Sequence, residues 1–174
     1  IDALFKPQNY TPLVSIPPDI DKKATIWEQL SFIILVVLPW LFLYELITFK
    51  VVPTNAIETY LPFENQIPIW DFTEIFYILA YPLVLLLPFF IKNTQILRGA
   101  TIAGILMTIT GGLCQFFLPF VASLKTVHSD SIFGQLMVLE RQWSSAAGAF
   151  PSFHVAWAFF VAYYCSKSFP QWKN

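Results

Sequence analysis

Residues 99–124 contain no charged side chain at all. A helix that crosses a bilayer core about 30 Å thick needs roughly 20 mostly apolar residues, and this run supplies them without interruption. Three other stretches read the same way: 29–49, broken only by Glu45; 72–91, broken only by Glu74; and 150–168, where His154 and Lys167 are the polar interruptions. Composition agrees. Charged residues make up 12% of the chain and hydrophobic ones 56%, whereas soluble domains average about 25% charged. So few charges cannot cover a soluble globule of 174 residues, and so many aromatic and aliphatic residues exclude a disordered chain. The expected fold is all-α, a polytopic transmembrane helix bundle with spans near 29–49, 72–91, 99–124 and 150–168.

Residues 1–26 form a polar, proline-containing lead-in, and 27–174 the membrane domain. Pro39, Pro82 and Pro88 fall within the first two spans and Pro119 near the end of the third; membrane helices tolerate such prolines. Loops are expected at about 50–71, 92–98 and 125–149, the middle one a tight turn. Lys6, Lys22, Lys23, Lys92, Arg98, Lys167 and Lys173 fall on one side, and Lys50, Lys125 and Arg141 on the other. The positive-inside rule then puts the amino terminus in the cytoplasm and loops 50–71 and 125–149 on the periplasmic, exterior or lumenal side. Trp27, Trp70 and Trp172 lie near span ends, where interfacial tryptophans belong. Membrane lipids are therefore expected partners. Net charge is −1, and no basic field points to nucleic acid. Cys114 and Cys165 sit in apolar runs and read as buried free thiols. Gly104, Gly111 and Gly112 give the third span a small face for close packing.

Chemistry concentrates in Gly148-Ala149-Phe150-Pro151-Ser152-Phe153-His154. Pro151 suits a first helical turn. The free N–H groups of such a turn, with the Ser152 hydroxyl, make a ready anion site. His154 follows close enough to protonate an oxygen leaving a bound phosphoryl group. The alternative is a histidine packed between helices and donating to a carbonyl. Glu45, Asp71 and Glu74 read as interfacial or helix-start residues. No Walker, Rossmann, His-Glu-x-x-His or Gly-x-Ser-x-Gly pattern occurs.

Phe150-Pro151-Ser152-Phe153-His154, continued by Val155-Ala156-Trp157-Ala158, resembles the central signature of the type 2 phosphatidic acid phosphatase superfamily. The branch it resembles includes inositol phosphorylceramide synthases and their bacterial relatives, which Leu61-Pro62-Phe63-Glu64 through Ile67-Pro68 also resemble. The resemblance covers about residues 30–168, with Pro-Ser-x-His its specific core. It implies that Ser152 and the N–H groups around Phe153 bind phosphoryl oxygens while His154 protonates the leaving group. It implies a lipid phosphate substrate, a phosphohistidine intermediate, and neither metal nor cofactor. The family's Lys-x6-Arg-Pro pattern is absent. Lys125 and then Arg141 are the expected substitutes, with interfacial snorkelling as their other reading. Lys92 and Arg98 are read as topology determinants across the bilayer from His154.

The family's nucleophilic His and its orienting Asp would lie in a loop after a further pair of spans. With Ile1 in place of Met and Asn174 only 20 residues beyond His154, the chain is expected to be a fragment carrying half an active site. His128 is a poor nucleophile candidate, since Asp130 stands too close to orient it. A non-enzymatic membrane bundle, either a transporter fragment or a pseudoenzyme, is the competing reading.

Overall fold

The structure is a computed structural model, and it describes residues 22–48, 56–127, 130–143 and 146–169. The expected lead-in up to residue 21, together with Lys50, His128 and Lys173, lies outside the described residues. The described chain is mostly helical. Helix α1 (Ile26–Phe32) passes through a π-helical stretch, Ile33–Val37, into α2 (Leu38–Thr48). The wide turn comes just before Pro39, which cannot donate to a carbonyl four residues back. There the Leu38 N–H reaches Ile33 O, five residues back. Helix α3 (Glu74–Phe90) keeps Pro82 and Pro88 inside it, and α4 runs Thr94–Phe117.

Three helical stretches are long and apolar enough to cross a membrane: Ile26–Ile47, Asp71–Phe90 and Thr94–Phe117. Their outward faces carry bare rings and aliphatic chains, with Phe42 72%, Phe76 68% and Phe117 71% exposed. Helices apolar on both inner and outer faces need an apolar surrounding. Helix α6 (Phe153–Ser168) has 16 residues, about 24 Å of rise, and falls short of that length.

The core lies where α6 packs against α3 and α4. Trp40 and Trp157 are buried with ring centroids 5.0 Å apart. Trp157 also meets Phe160 edge-on at 5.0 Å, and Phe32, Val84, Leu87 and Leu97 close the cluster. The small face of α4 permits close approach: a Cβ on Gly104 would stand 2.6 Å from Val36, and one on Gly111 2.8 Å from the Phe153 ring. Cys165 is half-buried, but Cys114 is exposed on the bundle surface rather than buried; both are free thiols.

One end of the bundle is tied by its polar starts. Thr25 and Glu28 form a capping box on α1. Glu28 also accepts from Thr94 at 3.2 Å and pairs with Arg98 at 3.0 Å. The Ala24 N–H donates to Lys92 O at 2.7 Å and the Thr94 N–H to Lys22 O at 3.0 Å. Lys22, Lys23, Lys92 and Arg98 therefore gather at this end. The turn expected over 92–98 is shorter than that, because Asn93 accepts from the Gln95 and Ile96 N–H groups and starts α4 at once.

The other end departs further from an all-helical reading. Helix α4 stops at Phe117 instead of running to 124, since Pro119 disfavours helical backbone at Leu118; Leu118 has φ −112°, ψ 95°. Pro119 thus lies beyond the helix rather than inside a span. The chain continues as β2 (Phe120–Ala122), parallel to β1 (Ile57–Thr59) with Glu58 opposite Val121. On its other side the Ala122 N–H donates to Ala146 O at 2.9 Å, and the Ala149 N–H to Phe120 O at 3.2 Å. The expected loop at 125–149 contains a helix, α5 (Ile132–Trp143), seated against the start of α3. Ser131 begins it, accepting from the Gly134 N–H at 2.9 Å and donating to the Asp71 carboxylate.

Candidate functional site

The end of β2, α5, the start of α3, Tyr44 of α2 and the start of α6 line an open cavity of about 230 Å³. Its polar lining includes Glu74, Tyr77, Glu140, Arg141, Ser152 and His154. Two acidic side chains and one guanidinium therefore line the same space.

Ser152 is the N-cap of α6, with extended backbone at φ −74°, ψ 117°. Its hydroxyl accepts from the Val155 N–H at 3.5 Å, and its carbonyl takes the first helical bond, from Ala156 at 3.1 Å. Pro151 consequently stands before the cap, not in the first turn. The Phe153 side chain is 3% exposed and packs on Gly111. What Phe153 offers the cavity is thus its backbone, at a helix start whose first N–H groups have no carbonyl four residues back.

The loop leading to this cap is held by Gln115, which is 5% exposed near the end of α4. Its amide donates to Gly148 O at 3.0 Å and to Pro151 O at 2.7 Å. Gly148 has φ +74°, a left-handed conformation that glycine adopts without strain. Replacing Gln115 by leucine keeps the volume and removes both donors. We expect a loss of about 1–3 kcal/mol from two under-satisfied carbonyls, measured as a lower denaturation midpoint in detergent; an unchanged midpoint would show that the clamp does not stabilise the loop.

His154 is caged by aromatic rings. Its ring stacks on Tyr77 with centroids 3.6 Å apart and planes 18° apart. Tyr81 and Tyr44 meet it edge-on at 5.3 and 6.0 Å. Those contacts fix the imidazole plane. The His154 Nε2 is covered and has no hydrogen-bond partner among the described residues. Such an atom costs about 1–3 kcal/mol to leave unpaired, a cost that a hydrogen-bonding ligand would offset.

The two basic candidates part company. Arg141 lines the cavity, and one of its N–H groups donates to Lys125 O. Lys125 is absent from the lining; its ammonium donates to Glu64 O and, at 2.6 Å, to Ile67 O. It straps the 3₁₀ turn Pro62–Gln66 to the strand pair. The fold thus brings Ser152, Phe153, His154 and Arg141 together and leaves Lys125 outside. Lys92 and Arg98 lie at the far end of the bundle. Asp71 accepts from Ser131 and from the Phe72 N–H at 2.9 Å, a helix-start role.

Glu74, read from the sequence as a helix-start residue, is 6% exposed with its Oε1 unpartnered among the described residues. Tyr44, Tyr77, Glu140 and Gln115 escaped sequence reasoning. Two of them carried a signal: Tyr77 and Tyr81 share a helix face at i, i+4, and Gln115 is the lone amide side chain in 99–124. No group of three or more His, Cys, Asp and Glu among the described residues is placed to hold a metal ion.

Fold and site together define the class: a mostly helical chain with three membrane-length apolar helices and a polar, histidine-bearing cavity at one end. Comparison with protein-family models, curated proteins and solved structures finds no match to this chain.

Proposed function

We propose that this chain is the membrane-embedded part of a phosphatase or phosphotransferase of the phosphatidic acid phosphatase type, acting on a lipid phosphate. The observation that carries the reading is the meeting of His154, the α6 N-terminus and Arg141 in one cavity of about 230 Å³. Helix α6 is a fourth span on this reading, and the excess of Lys and Arg at the opposite end turns the cavity to the extracytoplasmic side. The apolar outer faces of the helices then hold the site at headgroup level, where a lipid phosphate enters from the bilayer.

The chemistry follows from the groups present. Arg141 and the first N–H groups of α6 bind non-bridging phosphoryl oxygens and spread their charge. In the complete protein a histidine downstream of α6, which the family resemblance implies, attacks phosphorus in line, and the bond from phosphorus to the lipid alcohol oxygen breaks. His154 gives its proton to that departing oxygen. Water or a second alcohol then attacks the phosphohistidine while giving its proton to the now neutral His154, the P–N bond breaks, and the phosphoryl group leaves on the new oxygen.

Vanadate, a phosphate mimic, tests the reading. Titrated into the full chain in lipid nanodiscs, it should bind saturably, compete with inorganic phosphate and lose its site in His154→Ala. Absence of saturable binding would sink the reading in favour of a non-enzymatic membrane bundle. The commitment of Lys125 to two carbonyls, leaving Arg141 as the cavity's one guanidinium, favours that second reading.

A further inference from the structure

A bare phosphate site has no use for a buried carboxylate, and this cavity has one. Glu74 lines it together with Arg141, and a phosphate dianion entering alone would meet that carboxylate. Glu74 is 6% exposed, and its Oε1 has no hydrogen-bond partner among the described residues. A buried carboxylate oxygen left so costs more than a neutral acceptor, so the site is arranged for a ligand that brings a donor, and the charge balance asks for a positive one. Tyr44 and Tyr77 also line the space, and aromatic rings attract organic cations.

From this we infer that the cavity takes a zwitterionic headgroup, a phosphate ester bearing an ammonium, with Glu74 as the residue that selects the ammonium. Arg141 and the α6 N-terminus hold the phosphate, and Glu74 accepts from the N–H donors of the amine. The inference rests on the phosphate-site reading and names its substrate class.

The experiment is competition against vanadate on the full chain in nanodiscs, with three soluble esters: phosphoethanolamine, ethyl phosphate and glycerol phosphate. Phosphoethanolamine should bind at least about tenfold more tightly than ethyl phosphate, the scale of one partly desolvated charge pair. In Glu74→Gln the preference should vanish while vanadate binds more tightly, because a carboxylate has left an anion site. Vanadate binding without ester preference in the wild type would overturn the charge selection and leave the phosphate site standing. No vanadate binding would overturn both. Glycerol phosphate matching phosphoethanolamine would make Glu74 an acceptor for hydroxyls and overturn the ammonium assignment. A preference that survives Glu74→Gln would overturn the role of Glu74. Should that variant not fold, the wild-type ratio decides for or against an ammonium, and Glu74→Asp, which keeps the charge, must keep the preference.

Discussion

Replacing His154 by asparagine should lower turnover of an alkyl phosphate by about 10²–10⁴-fold, the usual contribution of a positioned general acid. The size of the effect depends on the leaving group. An alkoxide cannot depart without a proton, whereas a nitrophenolate departs readily unprotonated. The same variant should therefore lose far less activity on nitrophenyl phosphate. Measuring kcat/KM for both esters on the complete protein separates proton donation from positioning. An equal loss on both substrates would mean that His154 holds the phosphoryl group or the site's shape, and the acid role would fall. The cage of Tyr44, Tyr77 and Tyr81 matters here, because it sets the ring plane and so the angle at which Nε2 can meet a leaving oxygen.

The largest stability effect is expected one turn further along α6. Trp157 is fully buried, with Trp40 and Phe160 each 5.0 Å away between centroids. Trp157→Ala should cost about 3–5 kcal/mol, as large-to-small core changes do. Within a bilayer little of that is transfer from water, since the unfolded helices also lie in lipid; the loss is of packing contacts around the void left behind. Phe159→Ala, at a side chain 75% exposed on the outer face, serves as the control and should stay within about 0.5 kcal/mol. Denaturant unfolding of both in the same detergent decides the matter. Similar midpoints would show that the aromatic cluster does not hold α6 to the bundle. Trp157 follows His154 by three residues on one helix face, so its loss should also loosen the imidazole.

Helices were legible wherever apolar residues ran long. Ile26–Ile47, Asp71–Phe90 and Thr94–Phe117 sit close to the expected 29–49, 72–91 and 99–124, displaced mainly at their ends. Those ends depend on single side chains. Asn93 starts α4 five residues before the expected span, and Pro119 stops it seven residues short. The strand pair was not legible, because three-residue strands carry no period and exist here only by pairing across 63 positions of sequence, as Ile57 does with Phe120. Helix α5 was hidden for a related reason: a 12-residue amphipathic segment between spans reads as loop until the start of α3 gives its apolar face a partner.

By itself the sequence determined that this chain needs an apolar surrounding, where its long helices run, and that Ser152 and His154 stand together at the start of a further helix. Those properties are local, since hydropathy over 20-odd residues and capping within four decide them. Only the tertiary structure decided which side chains meet at that helix start. It drew Arg141 into the cavity on a helix read as loop, and spent Lys125 on the carbonyls of Glu64 and Ile67. It also buried Glu74, the first residue of α3 as expected, in the lining of His154's cavity. A charge's role depends on what lies within a few ångströms of it, and here those neighbours come from segments some 60 to 80 residues apart in the chain.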